Sequence, residues 1–163
     1  MILGITGHQK IPGEYSWEWV EQVLHSTLSL ASSPLIGLSS LAIGADQLFA
    51  RLVLQHGGEI RVILPFPSYI EIFKTEADRI KYRELLERAA SVEMLAPDPN
   101  PEASYLAAGQ RIVDLADRMI AIWNGKPAAG LGGTGDIVDY ALGKGKEVLH
   151  INPLSQRIVL RKQ

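Results

Sequence analysis

Residues 119–142 read MIAIWNGKPAAGLGGTGDIVDYAL, and this stretch contains a strand, a glycine-rich loop and a helix in that order. The apolar run Met119–Trp123 is typical of a strand that is buried on both of its faces. The loop 125–133 holds four glycines, and the helix is predicted to span Thr134–Leu142. A strand followed by a loop and a helix is the repeating unit of sheets with parallel strands.

The rest of the chain repeats this alternation. Short apolar runs predict five further strands, at Ile2–Thr6, Leu35–Ala42, Ile60–Leu64, Val92–Leu95 and Glu147–Ile151. Helices are predicted to begin after the candidate N-cap Ser16, at Gly44, at a capping box that starts with Thr75, and at Glu102. We therefore predict a single-domain α/β protein with a mostly parallel, doubly wound sheet and helices on both faces. The tail Ser155–Gln163 could add a strand, contact another subunit or fray.

Composition narrows the function classes. A chain of 163 residues suits one domain. It holds no cysteine, which excludes disulfides, thiolate catalysis and zinc sites built on cysteine. A formal net charge of −2 argues against a general nucleic-acid-binding surface, which usually carries a basic excess. No apolar run approaches the roughly 20 residues of a membrane span, and the N-terminus is too short for a signal peptide. We expect a cytoplasmic protein that does not contact a membrane.

Ligands of an open parallel sheet bind beyond the carboxyl ends of its strands, near the point where the strand order reverses. Small, polar and glycine residues follow several of the predicted strands at this edge. The predicted ligand-binding residues are Thr6, Gly7, His8, Ser39, Gly44, Asp46, Pro65, Phe66, Asn124, Gly132, Gly133, Thr134, Gly135 and Asp136. Alternatively, His8 could be a simple exposed histidine, and Ser39 could cap the turn that follows it.

The segment Gly130–Asp136 carries the strongest ligand signal. Its glycines would let the backbone approach an anion closely. A helix beginning at Thr134 or Gly135 would direct free N–H groups and its positive dipole end at a phosphate, and the Thr134 hydroxyl would add a donor. The alternative is a loop that needs glycines only to reverse the chain.

Two carboxylates, Asp46 and Asp136, lie in first helical turns at this edge. Each could simply stabilise its helix dipole. Each could instead accept a ribose hydroxyl or help to hold a cation, and Asp136 is the candidate catalytic residue. No cofactor or protein metal site is predicted, because the four histidines are scattered without metal-ligand spacing. A divalent cation could accompany a bound nucleotide.

Aromatic side chains at the same edge could stack on a base. Trp123, Phe66 and Tyr69 lie at or after strand ends, although core packing or loop coverage is the commoner role of such residues. Established catalytic motifs are missing from the sequence. There is no Gly-x-Ser-x-Gly elbow, no His-Glu-x-x-His, no Gly-x-x-x-x-Gly-Lys-Ser/Thr loop, and no Gly-x-Gly-x-x-Gly fingerprint after the first strand.

Five short segments form a recognisable series along the chain. They are Thr6-Gly7-His8, Gly44-Ala45-Asp46, Pro65-Phe66-Pro67, Asp117 through Trp123-Asn124-Gly125, and Gly132-Gly133-Thr134-Gly135-Asp136. Together they resemble the SLOG superfamily, which includes DprA proteins, LOG phosphoribohydrolases and nucleotide-sensing domains. The resemblance spans about Ile2 to Asn152 and implies a Rossmann-like domain that binds a nucleotide or derivative at its strand ends. Some members hydrolyse the N-glycosidic bond of a nucleoside monophosphate, whereas others only sense a ligand.

The glycine-rich segment departs from the LOG motif, Pro-Gly-Gly-x-Gly-Thr-x-x-Glu, whose glutamate belongs to catalysis. Ala129 replaces the proline, Leu131 the second glycine and Ile137 the glutamate, while Asp136 stands one position early. We therefore expect a sensor or binding module for a nucleotide derivative, and the alternative is a LOG-like N-glycosidase. Binding of single-stranded DNA is the least expected activity. A homo-oligomer is expected, with Trp17, Trp19 and the apolar tail as hints of a subunit contact.

Overall fold

A computed structural model describes the backbone of residues 1–163 and all side chains except those of residues 14–16. Its strands are β1 (Ile2–Gly7), β2 (Ile36–Ser39), β3 (Glu59–Leu64), β4 (Ser91–Met94), β5 (Arg118–Ile122), β6 (Glu147–Asn152) and β7 (Arg157–Arg161). Its helices are α1 (Glu14–Ser29), α2 (Ala45–Gln55), α3 (Glu76–Glu87), α4 (Pro101–Leu115) and α5 (Thr134–Gly143). A short 3-10 helix spans Tyr69–Ile72.

The strands form one seven-stranded sheet in the order β4-β3-β2-β1-β5-β6-β7. Strands β1 to β6 are parallel, and β7 pairs antiparallel with β6. The chain builds outward from β1 through β2, β3 and β4, and then returns to the other side of β1 with β5. The strand order therefore reverses between β1 and β5, as in doubly wound sheets. The predicted fold class is confirmed, and the tail forms an added strand.

Apolar side chains alternate between the two faces of the sheet and bury each face under helices. Leu3 and Ile5 of β1 belong to the core that packs beneath α1 and α2. Met119 of β5 belongs to the opposite core, with side chains of α4 and α5. Gly4 makes room for the core that contains Met119, because a Cβ built on Gly4 would lie 2.4 Å from the sulfur of Met119. Helices thus cover both faces and leave the strand ends free to carry a site.

Several predicted boundaries differ from the observed ones for local reasons. The second strand was predicted to reach Ala42 but ends at Ser39, because the chain turns at Leu41, whose φ is 57°. The predicted cap on α3 is confirmed, since the hydroxyl of Thr75 accepts the N–H of Asp78 at 3.1 Å. The predicted capping role of Ser16 lies outside the described side chains. None of the helices in the described part of the chain is long and apolar enough to cross a lipid bilayer.

Candidate functional site

A cleft of about 670 Å³ opens beyond the carboxyl ends of β1 and β5, at the point where the strand order reverses. Its volume falls within the range of small-molecule sites, roughly 300–1,000 Å³. Most of the predicted ligand residues line it, namely Thr6, Gly7, His8, Asp46, Pro65, Asn124, Gly132, Gly133, Thr134 and Gly135. The remaining predicted residues, Ser39, Gly44, Phe66 and Asp136, do not line the cleft.

The N-terminus of α5 forms one wall of this cleft. Thr134 and Gly135 line the cleft, and the N-cap Gly133 makes no side-chain capping bond. Among the hydrogen bonds of the described residues, none uses the backbone N–H of Thr134, Gly135 or Asp136. Three free donors at the positive end of a helix dipole are a favourable environment for an anion.

The glycines before α5 are required by packing within the protein. Gly132 has a φ of 81°, and a Cβ built on it would lie 2.7 Å from the backbone nitrogen of Leu106 on α4. Built Cβ atoms on Gly133 and Gly135 would lie 2.8 Å and 3.0 Å from atoms of Ala128. The loop therefore needs glycine at these positions with or without a ligand, which supports the alternative interpretation of the glycines as devices of chain reversal.

The carboxylate of Asp136 is used inside this loop. Its Oδ2 accepts the backbone N–H of Gly132 at 2.9 Å. The side chain thus closes the turn before α5 and does not line the cleft. The contact explains an acidic residue in the first turn of α5 without catalysis, and the catalytic role of Asp136 stays a prediction.

Asp46 is a buried carboxylate on the opposite side of the cleft. It is 8% exposed, and its Oδ2 accepts the hydroxyl of Ser39 at 3.1 Å and the N–H of Ser40 at 3.0 Å. Burial raises the pKa of Asp46 to about 6, although these hydrogen bonds oppose the change. No ion pair among the described side chains includes Asp46. Ser39 was predicted to contact ligand, but it is fully buried and supports Asp46 instead.

Gly44 shapes the cleft from behind its surface. It has a φ of 87°, and a Cβ built on it would lie 2.4 Å from the carbonyl oxygen of Gln9. This close approach lets the loop after β1 cross the start of α2, where the N–H of Ala45 donates to the carbonyl of His8 at 3.1 Å. Gly44 therefore positions the ligand-side loop and does not itself line the cleft.

Aromatic side chains form another wall. Tyr69 is 2% exposed and lines the cleft, and no hydrogen bond is described for its hydroxyl. Burial raises its pKa well above the usual value, and the negative charge of Asp46 raises it further. Tyr105 also lines the cleft. Phe66, predicted to contact a base, instead stands behind these two rings, with centroid distances of 5.8 Å and 5.6 Å.

Sequence reasoning missed Glu102 and Tyr105, which both line the cleft from α4. The signal was their spacing of three residues on a predicted helix, which places them on one face. A Cβ built on Gly130 would lie 3.2 Å from Oε1 of Glu102, so this carboxylate faces the glycine-rich loop. No group of three or more histidine and carboxylate side chains in the described part of the chain is arranged to hold a metal ion. The predicted cation that accompanies a nucleotide stays a prediction.

His8 and Trp123 join the loops that surround the cleft. Nε2 of His8 accepts the N–H of Asn124 at 3.0 Å, which requires an unprotonated nitrogen. Burial lowers the pKa of His8, so the neutral ring is favoured. The indole N–H of Trp123 donates to the carbonyl of Lys126 at 2.8 Å, and its ring packs against His150 with centroids 5.0 Å apart. Trp123 therefore anchors the loop and also lines the cleft, and its stacking on a base stays a prediction.

Comparisons with known proteins identify the fold. No protein-family model matches the sequence, and no curated protein is detectably similar to it. DNA processing protein A (DprA) from Streptococcus pneumoniae superposes with a TM-score of 0.63 at 18% identity over 92% of this chain. DprA from Helicobacter pylori, whose structure is described for its single-stranded DNA binding mode, superposes with a TM-score of 0.64 at 15% identity over 93% of this chain. The protein TM1055 gives 0.57 at 14% identity over 90% of this chain.

These matches confirm that the chain has a DprA-like, Rossmann-like fold, as the resemblance to the SLOG superfamily implied. All three identities are low, so the similarity concerns the fold. The chain spans 50% of the pneumococcal protein, 65% of the Helicobacter protein and 71% of TM1055.

Proposed function

We propose that this protein binds a nucleotide or nucleotide derivative in the cleft between β1 and β5, as a sensor or binding module. One observation carries the proposal: free backbone donors at the start of α5 face the cleft at the point where the strand order reverses. Ligands of doubly wound sheets bind at that point, and helix N-termini bind phosphate.

The phosphate would lie against the N–H groups of Thr134 and Gly135. The hydroxyl of Thr134 would add a donor, and Lys126 in the cleft wall would add a positive charge. The side chain of Asp136 is turned toward Gly132, and its hydrogen bond there reduces its repulsion of a phosphate. A divalent cation would enter with the phosphates, and Glu102 faces the loop where they would bind.

A second candidate function is hydrolysis of the N-glycosidic bond of a nucleoside monophosphate. It would need a carboxylate that stabilises an oxocarbenium-like transition state and positions water. Two carboxylates line the cleft, Asp46 and Glu102. Either of them could supply the required carboxylate, even though Ile137 replaces the glutamate of the LOG motif.

Calorimetric titration of the purified protein with AMP, ADP-ribose, NAD and cyclic nucleotides tests the proposal, with chromatography of each mixture. Binding of an intact ligand supports the sensor function, and release of free base supports the hydrolase. Thr134→Asp adds a negative charge that suits a helix N-terminus but repels phosphate, so affinity should fall at least about tenfold. Thr75→Asp, the same substitution at the N-cap of α3 and outside the cleft, should leave affinity unchanged. An absence of binding to every ligand would contradict the proposal.

Binding of single-stranded DNA is a third function, favoured by the similarity to the Helicobacter DprA, whose description names that activity. The net charge of −2 weighs against it, because DNA affinity depends on neutralising phosphates. Retention on a single-stranded DNA column that falls steeply with salt would support DNA binding over the free nucleotide.

We also propose that the protein forms a homo-oligomer through β7. This edge strand exposes Ile158, Val159 and Leu160, whereas Trp17 and Trp19 are half-buried against the core. Sedimentation of the wild type and of Val159→Lys tests this contact. A dimer that the substitution dissociates would support it, and a monomeric wild type would contradict it.

A further inference from the structure

Two buried residues that line the cleft, Tyr69 and Asp46, carry polar groups with hydrogen-bonding capacity that the protein leaves unused. The first is the hydroxyl of Tyr69, a residue that is 2% exposed and for which no hydrogen bond is described. The second is the carboxylate of Asp46, which is 8% exposed and has no described cationic partner. Both residues line the cleft, so both can be reached by a ligand there.

Both groups border one cleft. Burial, and after it the negative charge of Asp46, raises the pKa of the Tyr69 hydroxyl, which therefore stays protonated and can donate a hydrogen bond. The carboxylate can accept a bond in addition to those from Ser39, Ser40 and the backbone of Ala42, since an ionised carboxylate offers about four lone-pair positions. A donor and an acceptor thus border the same cleft.

We propose that Tyr69 and Asp46 form a hydroxyl-recognising subsite that selects ligands carrying a free sugar hydroxyl. A hydroxyl group can donate to the carboxylate and accept from the phenol at the same time. An ammonium group has no acceptor to offer Tyr69, so it would satisfy only part of the pair. The inference rests on the proposed function, because it needs a phosphate at the start of α5 to hold the other end of the ligand.

Part of the cleft wall on α4 is apolar. Ala108 and Ile112 line the cleft from α4 with apolar surface, and the ring of Tyr105 beside them carries a further hydroxyl. A ligand that fits has an anion at one end and a hydroxyl at the other. This chemistry is shared by nucleotides and by free sugar phosphates, such as ribose 5-phosphate.

The test compares AMP, 2′-deoxy-AMP, 3′-deoxy-AMP and ribose 5-phosphate by calorimetry on the wild type and on Tyr69→Phe. A site built to bond a hydroxyl discriminates strongly against an analogue that lacks it. In the wild type, removal of one of the two hydroxyls should therefore weaken binding by at least about tenfold. In Tyr69→Phe the same removal should cost much less, because the donor is already gone. Comparable affinity for ribose 5-phosphate and AMP would identify a sugar phosphate as the recognised unit.

Tyr82→Phe is the matched control. Tyr82 belongs to the same aromatic cluster, with its ring 5.8 Å from that of Tyr69, but it does not line the cleft. It should keep the full preference for the hydroxyl, so a structural effect of losing a buried phenol is separated from recognition. Asp46→Asn is a second test of the same preference for the hydroxyl, because the amide keeps an acceptor but loses the charge.

Different failures have different meanings. If AMP and both deoxy analogues bind the wild type equally, the hydroxyl subsite is wrong while phosphate binding at α5 stands. A preference that is unchanged in both Tyr69→Phe and Asp46→Asn also overturns the subsite. If Thr134→Asp does not weaken AMP binding, the proposed phosphate position fails, and the inference fails with it.

Discussion

The carboxylate of Asp136 accepts the backbone N–H of Gly132 at 2.9 Å, from one turn inside α5 back to the loop that precedes it. This bond fixes the turn that brings the glycine-rich loop against α4. It also directs the negative charge away from the cleft and leaves the first N–H groups of α5 free. The resulting arrangement presents the helix N-terminus, rather than the carboxylate, to a ligand.

Asp136→Ala should destabilise the protein by about 1–2 kcal/mol, because it leaves the N–H of Gly132 without its charged acceptor. Asp136→Asn should lose less stability, because its amide oxygen can still accept the hydrogen bond from the N–H of Gly132. Chemical denaturation of the three proteins measures the difference. If any turnover of a nucleotide is found and Asp136→Asn loses it while binding is kept, Asp136 is catalytic and its role is not confined to the loop.

Gly132→Ala should be strongly destabilising. It would place a side chain at a φ of 81° and a Cβ 2.7 Å from the backbone nitrogen of Leu106. Strain at a positive φ costs of the order of 1–3 kcal/mol, before any displacement of α4. Gly143→Ala is the control, because nothing lies within 4 Å of its built Cβ and its φ is not positive. Equal melting temperatures of the two variants would show that the loop packs differently.

The pH dependence of stability should reveal Asp46. Its pKa in the folded protein, about 6, is above the ordinary value of 3.8, so folding favours its protonated form. Its contribution to the stability of the fold is complete below about pH 4 and is lost as the pH rises through 6. The free energy of unfolding changes by about 3 kcal/mol over this range. Burial lowers the pKa values of His8 and His150, so these residues have the opposite effect. They reduce the stability of the fold as the pH falls below the ordinary pKa of histidine.

Asp46→Asn separates these effects, because the variant retains both histidines. The difference in unfolding free energy between wild type and variant should change between pH 4 and 7, with the wild type losing stability relative to the variant. Urea denaturation across that range provides the measurement. A difference that stays constant with pH would mean that Asp46 ionises normally in the folded protein.

Trp123→Phe should loosen the loop after β5 without removing its apolar packing. The substitution deletes the indole N–H that donates to the carbonyl of Lys126, a bond worth about 1 kcal/mol. Amide hydrogen exchange of residues 124–130 should become faster. Trp19→Phe, which alters a half-buried tryptophan on α1, should leave that exchange unchanged. Unaltered exchange in both variants would contradict the anchoring role of Trp123.

Much of the fold could be predicted because local signals specify it. The start of α5 at Thr134, the cap at Thr75 and the alternation of strands and helices are all short-range patterns. The early end of β2 was not predicted because Leu41 adopts a positive φ, and nothing in the sequence indicates that conformation for an apolar residue. The tail was left open because an edge strand is specified by its partner, β6.

The residues that line the cleft could be predicted more fully than their individual contacts. The strand-end rule gathers residues at one edge, but it does not say which side chain faces the cleft and which faces the protein. Ser39 is turned to Asp46, and Phe66 stands behind Tyr69 and Tyr105, for reasons of tertiary packing. The contact of Gly132 with α4 likewise joins segments that are distant in sequence.

A crystal structure of the protein with the tightest ligand of the nucleotide panel tests the central claim most directly. We predict that phosphate oxygens lie about 2.7–3.2 Å from the backbone nitrogens of Thr134 and Gly135, in the cleft between β1 and β5. A nucleotide bound elsewhere, or bound in the cleft with its phosphate away from α5, would contradict the account.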